Sequence, residues 1–399
     1  MRRLNVLLAL DPAAPIKVGE LFEQQRNIYF QYDPAWLSDG FSLSPYHLRC
    51  SPELIQDEVG LWQGLHGVFN DSLPDGWGLL LMDRELRKSG ADPHRVSPLH
   101  RLAWLGHRTM GALVYEPVSG PDSDSLLVEL NRLANNAQQV FSGQSDEVLP
   151  ELFRAGGSPG GARPKALIAT KGDQVITADG EIPQGFVSWL VKFAAKDDFP
   201  DAGNIEYAYS LMAKDVGIDM PNTQLMEGQY FATQRFDRTA TGRHHIHTFG
   251  NMVGADFRIP NLDYEDLFRV VLDVTKSRQE LLKSFRQMIF NIATHNRDDH
   301  SKNFAFFWSQ PERGWRLTPA YDLMFSNGIH GEHTMTVAGE GRQPAKPHIM
   351  QLAKQFSVET EAKQYLDQVG AVVQNWKQYA EQAEVSVASR GLFERFPVS

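Results

Sequence analysis

Apolar and polar positions change period along this chain, and the change separates a strand-rich first half from a helical second half. Alternating positions bounded by turn residues predict strands at 4–10 and 28–32. Residues 76–88 carry a helical pattern, and 112–115 return to strand ahead of Pro117. SGPDSDS at 119–125 has the composition of a linker. Leu126, Leu130, Leu133, Ala137 and Val140, three or four apart, then predict an amphipathic helix. Residues 143–161 are rich in glycine and serine around a short apolar piece. A strand at 166–169 and a strongly apolar strand at 186–193 precede a helix over about 205–215, with strand-like pieces at 223–226 and 230–235. From Tyr264 most of the chain reads as helix, ending in stretches that carry Ile349, Leu352 and Phe356, then Leu366, Val369, Val373 and Trp376. A β-rich half followed by a helical half predicts an α+β fold of two lobes with a cleft between them.

Composition narrows the partners. A chain of 399 residues has room for two or three domains, and its 42% hydrophobic and 22% charged residues are those of an ordinary globular protein. Its formal net charge of -10 gains nothing from displacing counterions off a phosphate backbone, so nucleic acid is not an expected direct ligand. The lone cysteine, Cys50, rules out an internal disulfide and a cysteine-based zinc site, and fits a reducing cytosol. The apolar stretch at 4–10 is interrupted by Asn5 and stopped by Asp11, too short for a signal core, and no run is long enough to span a bilayer. A cytoplasmic protein without membrane contact is expected.

The densest chemistry lies in HNRDDHSKNFAFFW, residues 295–308. An amphipathic helix with Leu281, Leu282, Phe285, Met288, Ile289 and Ile292 on one face precedes it, and its own end, 304–308, is a hydrophobic strand. Polar side chains crowded between two buried elements are costly unless they are satisfied or used. Asp298 and Asn303 are five positions apart, and Asp322 in LTPAYDLMFS follows after a turn and a strand at 315–318. Protein kinases use that order and spacing: one Asp takes or orients the proton of the attacking hydroxyl, and an Asn and a later Asp hold magnesium against the phosphates. The plainer reading is a polar loop with Asp322 as a helix cap. A metal hydrolase built on His295, Asp298, Asp299 and His300 fits less well, because HExxH spacing is missing and the lysine and asparagines suit phosphate and magnesium better than zinc.

Two further stretches point the same way. In GGSPGGARPKAL, residues 156–167, glycines let backbone amides approach phosphate oxygens, and Arg163 and Lys165 would add positive charge. It is not a Walker A loop, since no Gly-Lys-Ser/Thr follows; by itself it is equally a solvated turn. In FVSWLVKF, residues 186–193, Lys192 shares a strand face with Phe186, Ser188 and Leu190. Such a lysine either snorkels to an edge or is held by an anion, and a strand lysine after a glycine-rich loop is the kinase arrangement for the α- and β-phosphates. Glu206, near the start of the next helix, is a candidate partner for it.

In this order the elements resemble the HipA family of bacterial serine/threonine kinases. The family's loop Ser-x-Gly-Gly-Ala-Arg-Pro-Lys is matched by Ser158 through Lys165, its lysine strand at Lys192, and its Asn-Glu helix by 204–217, loosely, with Ile205 between the two residues. Its Glu-Arg-Phe-Asp-Arg hinge is matched at 234–238, its Asp-x-His-x-Lys-Asn loop at 298–303, and Pro-x-Tyr-Asp at 319–322. Near the N-terminus, Phe-x-Tyr-Asp-x-x-Trp-Leu stands at 30–37, Asn-x-Leu-Pro-Asp-Gly at 70–76 allowing for Ser72 before the leucine, and Met-Gly-Ala-Leu at 110–113. One departure is Gln234, where the family hinge begins with glutamate.

The resemblance implies an N-terminal accessory domain over 1–118, a linker and helix over 119–150, a kinase N-lobe with the glycine-rich loop over 151–245, and a helical C-lobe with the catalytic loop over 246–399. It implies ATP and Mg²⁺ as cofactors, Asp298 as the catalytic residue, and Asn303 and Asp322 as metal ligands. ATP would be bound by Pro159, Gly160, Gly161, Ala162, Arg163, Lys165, Lys192, Gln234, Arg235, Phe236, His300, Lys302, Asn303, Tyr321 and Asp322. It also implies transfer of the γ-phosphate to serine of a protein target, with an aminoacyl-tRNA synthetase among the candidates, and autophosphorylation of Ser158 in the loop. A small helix-turn-helix antitoxin of HipB type would be the partner and would carry any contact with DNA, in keeping with the acidic balance of this chain. The alternatives are a kinase-like binding module or corepressor acting through such a partner without strong catalysis, and a phosphotransferase acting on a small molecule.

Overall fold

Leu4, Val6 and Leu8 on the strand Arg2–Leu8 are buried, as are Leu21 on Ile16–Gln24 and Ile28, Phe30 and Tyr32 on Asn27–Tyr32. This period of two places one face of a five-stranded antiparallel sheet on a core, in the order Ile55–Gln56, Asn27–Tyr32, Ile16–Gln24, Arg2–Leu8, Leu113–Glu116. Phe69, Leu99 and Leu102 complete that core. The computed structural model describes residues 2–121, 125–157, 160–195 and 198–391. By internal contact the chain forms two units. One comprises Met1–Asp198, Ala232–His247 and Asn251–Gly254, the other Phe199–Phe231, Thr248–Gly250 and Ala255–Ser399. Both carry helices and strands, which is the α+β class expected from the sequence.

The first unit holds a second antiparallel array, in which Lys165–Lys171 lies between Gln174–Thr177 and Val187–Lys192, and Ala232–Gln234 pairs with 189–191. Ala166, Leu167, Ile168, Ala169 and Val191 are fully buried, so the centre of this array is covered on both faces. The amphipathic helix expected from Leu126 begins only at Leu130 and runs Leu130–Phe141. Leu126 to Val128 are instead extended beside Gln174–Thr177, with the Val128 amide donating to Val175 and the Thr177 amide to Leu126. Edge pairing overrides the helical spacing there because it satisfies backbone groups that a frayed first turn would leave open. The glycine-rich stretch contains a further helix, Pro150–Gly156, whose Leu152 and Phe153 are buried.

In the second unit, capped helices dominate. Asp263 and Asp266 form a reciprocal cap on Tyr264–Thr275, and Ser277 caps Arg278–Ala293. Arg278–Ala293 packs on Tyr264–Thr275 and Glu359–Gln374, with Phe268 and Phe285 stacked at 5.0 Å. The antiparallel hairpin of Ala305–Ser309 and Gly314–Leu317 follows the polar loop, and Leu262–Asp263 pairs in parallel with Met335–Thr336. Among the described residues no helix is long and apolar enough to cross a membrane.

Phe285 is wholly buried against Phe268. Phe285→Ala removes that contact and opens a cavity, so chemical denaturation should show a loss of about 3–5 kcal/mol. A loss under about 1 kcal/mol would mean that this helix face is not part of a cooperative core.

Candidate functional site

In the first unit, the helix Pro150–Gly156 ends at Gly157, and the glycine-rich loop leads from there into the strand Lys165–Lys171. Ser158 and Pro159 lie outside the described residues. Gly161 has φ +94°, a backbone region that a side chain would strain, and an added Cβ would strike the Lys165 ammonium. Lys165 is buried, and its Nζ donates to the Gly160 carbonyl at 2.7 Å. Arg163 pairs with Asp198 at 2.9 Å. Ala162 lies between them in the turn.

The register sets Lys165 directly opposite Lys192 on the neighbouring strand. Opposed residues on antiparallel strands project from the same face, and two like charges there repel unless an anion lies near both. Glu206 is buried on the helix Ala202–Asp215 of the second unit.

The hinge segment follows Gln234, which pairs with Trp189, and the Arg235 amide extends the ladder to Ser188. The Arg235 guanidinium is buried and forks onto both oxygens of Asp237 at 2.9 and 2.7 Å, with a third bond to Ala178. Arg238 donates to the same carboxylate at 2.6 Å and to the carbonyls of Gly111 and Thr109, and the Gly111 amide donates to Asp237 at 2.8 Å. Burial by itself would raise the Asp237 carboxyl, but the guanidinium groups of Arg235 and Arg238 overcome it and hold the group far below the usual carboxylate range. Phe236 is half-buried beside this cluster.

In the second unit, the helix Arg278–Ala293 ends at the polar loop. Asp298 is exposed, whereas its neighbour Asp299 is buried and saturated. One oxygen of Asp299 accepts from the Tyr264 hydroxyl and lies against His333 Nδ1, each at 2.8 Å, and the other accepts the Thr334 amide at 2.9 Å. Burial and then the Asp299 charge push the Tyr264 hydroxyl well above its ordinary value, which keeps it a donor. Asn291 donates to Tyr264 and accepts from Asn296, which reaches the Asp322 carbonyl at 3.4 Å. Asn303 donates its amide nitrogen to the Asp298 carbonyl at 2.8 Å. That bond fixes the side-chain orientation and leaves the amide oxygen as the ligand-capable end.

Asp322 stands at φ +55°, a conformation Asp tolerates better than most residues, and the Tyr321 hydroxyl donates to the Lys302 carbonyl at 2.7 Å. The Lys302 ammonium and the His300 ring each lie 5.0 Å from the Phe257 ring. His300 Nδ1 is buried with no hydrogen-bond partner among the described residues. Among those residues no three His, Cys, Asp or Glu side chains cluster as a metal site. The fit to a cation therefore rests on the Asn303 amide oxygen and the Asp322 carboxylate, hard oxygen donors of the kind magnesium takes together with water and phosphate.

Tyr264 and His333 were not singled out from the sequence, and Asp299 appeared there only among the potential ligands of the less favoured metal-hydrolase reading. Only long-range partners separate the carboxylates of Asp298 and Asp299. The first unit also contains a Ser44–His247–Asp71 chain at 3.0 and 2.6 Å, the spacing of a hydrolytic triad. His247 has no exposed surface and Ser44 only 2%, while Asn251 takes the other Asp71 oxygen, so the chain is a structural brace that no substrate reaches.

Removing the Asp237 charge tests the hinge cluster. Asp237→Asn leaves two buried guanidinium groups uncompensated and should cost about 3–5 kcal/mol in denaturant unfolding. Because the folded carboxyl is depressed, its contribution is complete above an unfolded value of about 3.9 and fades as pH falls toward the folded value. The stability gap between wild type and Asp237→Asn should be flat from pH 5 to 8 and narrow below about pH 4. A gap that instead grows with acidity would contradict the ionised cluster.

Comparison with known proteins places this architecture. Residues 13–116 match the HipA N-terminal domain, and residues 157–376, more than half of the chain, match the HipA-like C-terminal domain. The protein named "Putative kinase Y4dM" of Sinorhizobium fredii is 28% identical over 291 residues, covering 67% of this chain; the match spans 66% of Y4dM, just under two thirds of its length. The serine/threonine-protein kinase toxin HipA of Shewanella oneidensis is 24% identical over 343 residues, covering 77% of this chain and 73% of its own. A solved complex of HipA, HipB and operator DNA from Shewanella oneidensis MR-1 contains a chain that superposes with a TM-score of 0.70 at 17% identity, over 95% of this chain and 91% of that one. The fold is therefore that of HipA, and with both of its domain types matched in order, the chain belongs to the HipA family.

Proposed function

We propose that this protein is a serine/threonine protein kinase that transfers the γ-phosphate of ATP to a serine hydroxyl of a protein, as the toxin of a toxin–antitoxin pair. The observation that carries the reading is the polar loop of the second unit. Asp298 is exposed on a backbone held in place by Asp299, Asn296 and Asn303, so its carboxylate is accessible from solvent. Asp298 accepts the proton of the serine hydroxyl as its oxygen bonds to the γ-phosphorus and the bond to the ADP oxygen breaks. Magnesium, when bound, neutralises charge on the phosphate oxygens, and Asn303 and Asp322 are the residues that would hold it.

In the first unit, Lys165 and Lys192 share a strand face and offset phosphate charge, with Gly160, Gly161, Ala162 and Arg163 forming the turn that approaches the phosphates. Because the Arg235 guanidinium is engaged by Asp237, the part played by Gln234, Arg235 and Phe236 at the adenine edge falls to their backbone and to the Gln234 amide. His300, Lys302 and Tyr321 belong to the nucleotide-binding set. Pro159 and Ser158 complete the loop, with Ser158 as the autophosphorylation site. A HipB-like helix-turn-helix antitoxin is the proposed partner, supported by the solved assembly of a structural relative with HipB and operator DNA. The net charge of -10 is consistent with DNA contact passing through that partner, and the compartment proposed is the cytoplasm. An aminoacyl-tRNA synthetase is the target class that the family resemblance suggests. The proposed accessory domain, linker and two kinase lobes keep the boundaries set out from the sequence.

Purified Asp298→Asn and Asp322→Asn should each lose several orders of magnitude in autophosphorylation with labelled ATP. Near wild-type incorporation in either variant would remove that residue from the mechanism. Peptide mapping of the wild-type product should place the phosphate on the peptide containing Ser158; phosphate found only elsewhere would reject that site.

Lys192→Met keeps the aliphatic stem and deletes the charge. The unliganded melting temperature should be nearly unchanged, while stabilisation by Mg-ATP shrinks with the lost affinity. An undiminished shift would return Lys192 to a snorkelling role. A wild type that binds nucleotide but transfers no phosphate would select the binding-module reading.

A further inference from the structure

Asp75 precedes the helix Gly76–Lys88 as its N-cap residue, yet its side chain makes no capping bond to that helix. Aspartate is among the strongest cap formers, and an uncapped first turn leaves amides unsatisfied. The carboxylate is instead directed across the fold to the glycine-rich loop, where it accepts the Gly161 amide. The exchange is reciprocal, because the Trp77 amide, which a cap would ordinarily satisfy, donates to the Gly161 carbonyl at 2.9 Å. Both polar groups of Gly161 are thus held by one turn more than eighty residues earlier in the chain. The Trp77 indole adds a third bond, donating to the Lys165 carbonyl at 2.9 Å where the loop becomes strand.

Steric fit closes the contact. Gly76 has φ +44°, and an added Cβ would stand 2.6 Å from the Gly161 carbonyl oxygen and 2.8 Å from Ala162 Cα. An added Cβ on Gly160 would meet the Asp75 carboxylate at 3.0 Å. At Gly76 backbone lies against backbone, so that position has no room for a side chain.

We infer that Asp75 is a positioning residue for nucleotide binding: with Gly76 and Trp77 it holds the glycine-rich loop in its phosphate-binding shape from outside the kinase segment. This rests on the kinase reading above. A glycine-rich loop is floppy by composition, and ordering it before the ligand arrives removes that entropic cost from binding. The N-terminal domain then contributes to affinity for ATP without touching it.

Full-length wild type, Asp75→Ala, Asp75→Asn and Gly76→Ala would be titrated with Mg-ATP by calorimetry, with hydrogen exchange at residues 160–165 followed without nucleotide. Asp75→Asn keeps an oxygen acceptor, so it should bind within about twofold of wild type and keep the Gly161 amide protected. Asp75→Ala should expose that amide to exchange and bind Mg-ATP roughly tenfold more weakly, the scale of one lost charge-assisted hydrogen bond. Gly76→Ala, which leaves the carboxylate in place but wedges the backbones apart, should weaken binding in the same way. Mg-ATP affinity in Asp75→Ala equal to wild type, or an Asp75→Asn variant as weak as Asp75→Ala, overturns the assignment to Asp75. Wild-type protein that binds no Mg-ATP overturns the kinase reading itself, and the role of Asp75 with it.

Discussion

A buried carboxylate with two arginines organises the first unit. Asp237 lies where the chain returns from the strand Tyr230–Gln234, and five hydrogen bonds from Arg235, Arg238 and the Gly111 amide converge on it or its carbonyl. A buried ion cluster is a poor source of net stability, since desolvation opposes the attraction. Its value lies in geometry. The fork of Arg235 orients Asp237, and the Gly111 amide and the bonds of Arg238 to Gly111 and Thr109 then seat 235–238 against 109–111, the lead-in to the strand Leu113–Glu116. The segment leading into the N-terminal sheet is in this sense part of the scaffold of 235–238, as the Asp75 turn is of the glycine-rich loop.

The second unit handles adjacent carboxylates by giving them opposite surroundings. Asp299 is satisfied by Tyr264, His333 and Thr334, and the network runs on through Asn291 and Asn296 toward the segment that carries Asp322. A buried network of this kind is stable only when each member is bonded. Once Asp299 is immobile, the single peptide link leaves Asp298 little choice of direction, and the bond from Asn303 to the Asp298 carbonyl removes more of it. The order of this loop is therefore built largely by residues other than Asp298 itself.

The strands around Lys165 and Lys192 were legible as short, continuous apolar runs, a local signal that a strand covered on both faces leaves in the sequence. The order of glycine loop, lysine strand and Asp298–Asn303–Asp322 was legible for the same reason: kinase chemistry needs particular side chains at set separations. Where sequence logic erred, a distant partner had intervened. Leu126 fits a helical face, but the exposed edge of Gln174–Thr177 offered its backbone a better set of hydrogen bonds. The Arg235 guanidinium, by contrast, is bonded mainly to its near neighbour Asp237, with further contacts to the Ala178 carbonyl and the Met110 sulfur.

The sequence by itself determined the α+β class through local periodicity and the family through the resemblance of its motifs, and it supplied candidate residues at short spacing. Which of Asp298 and Asp299 is presented, what Arg235 binds and what holds Gly161 were decided only by tertiary structure. Most of the bonds that decide them join groups tens of residues apart, and a hydrogen bond at 2.8 Å leaves no trace in the linear order of the groups that make it.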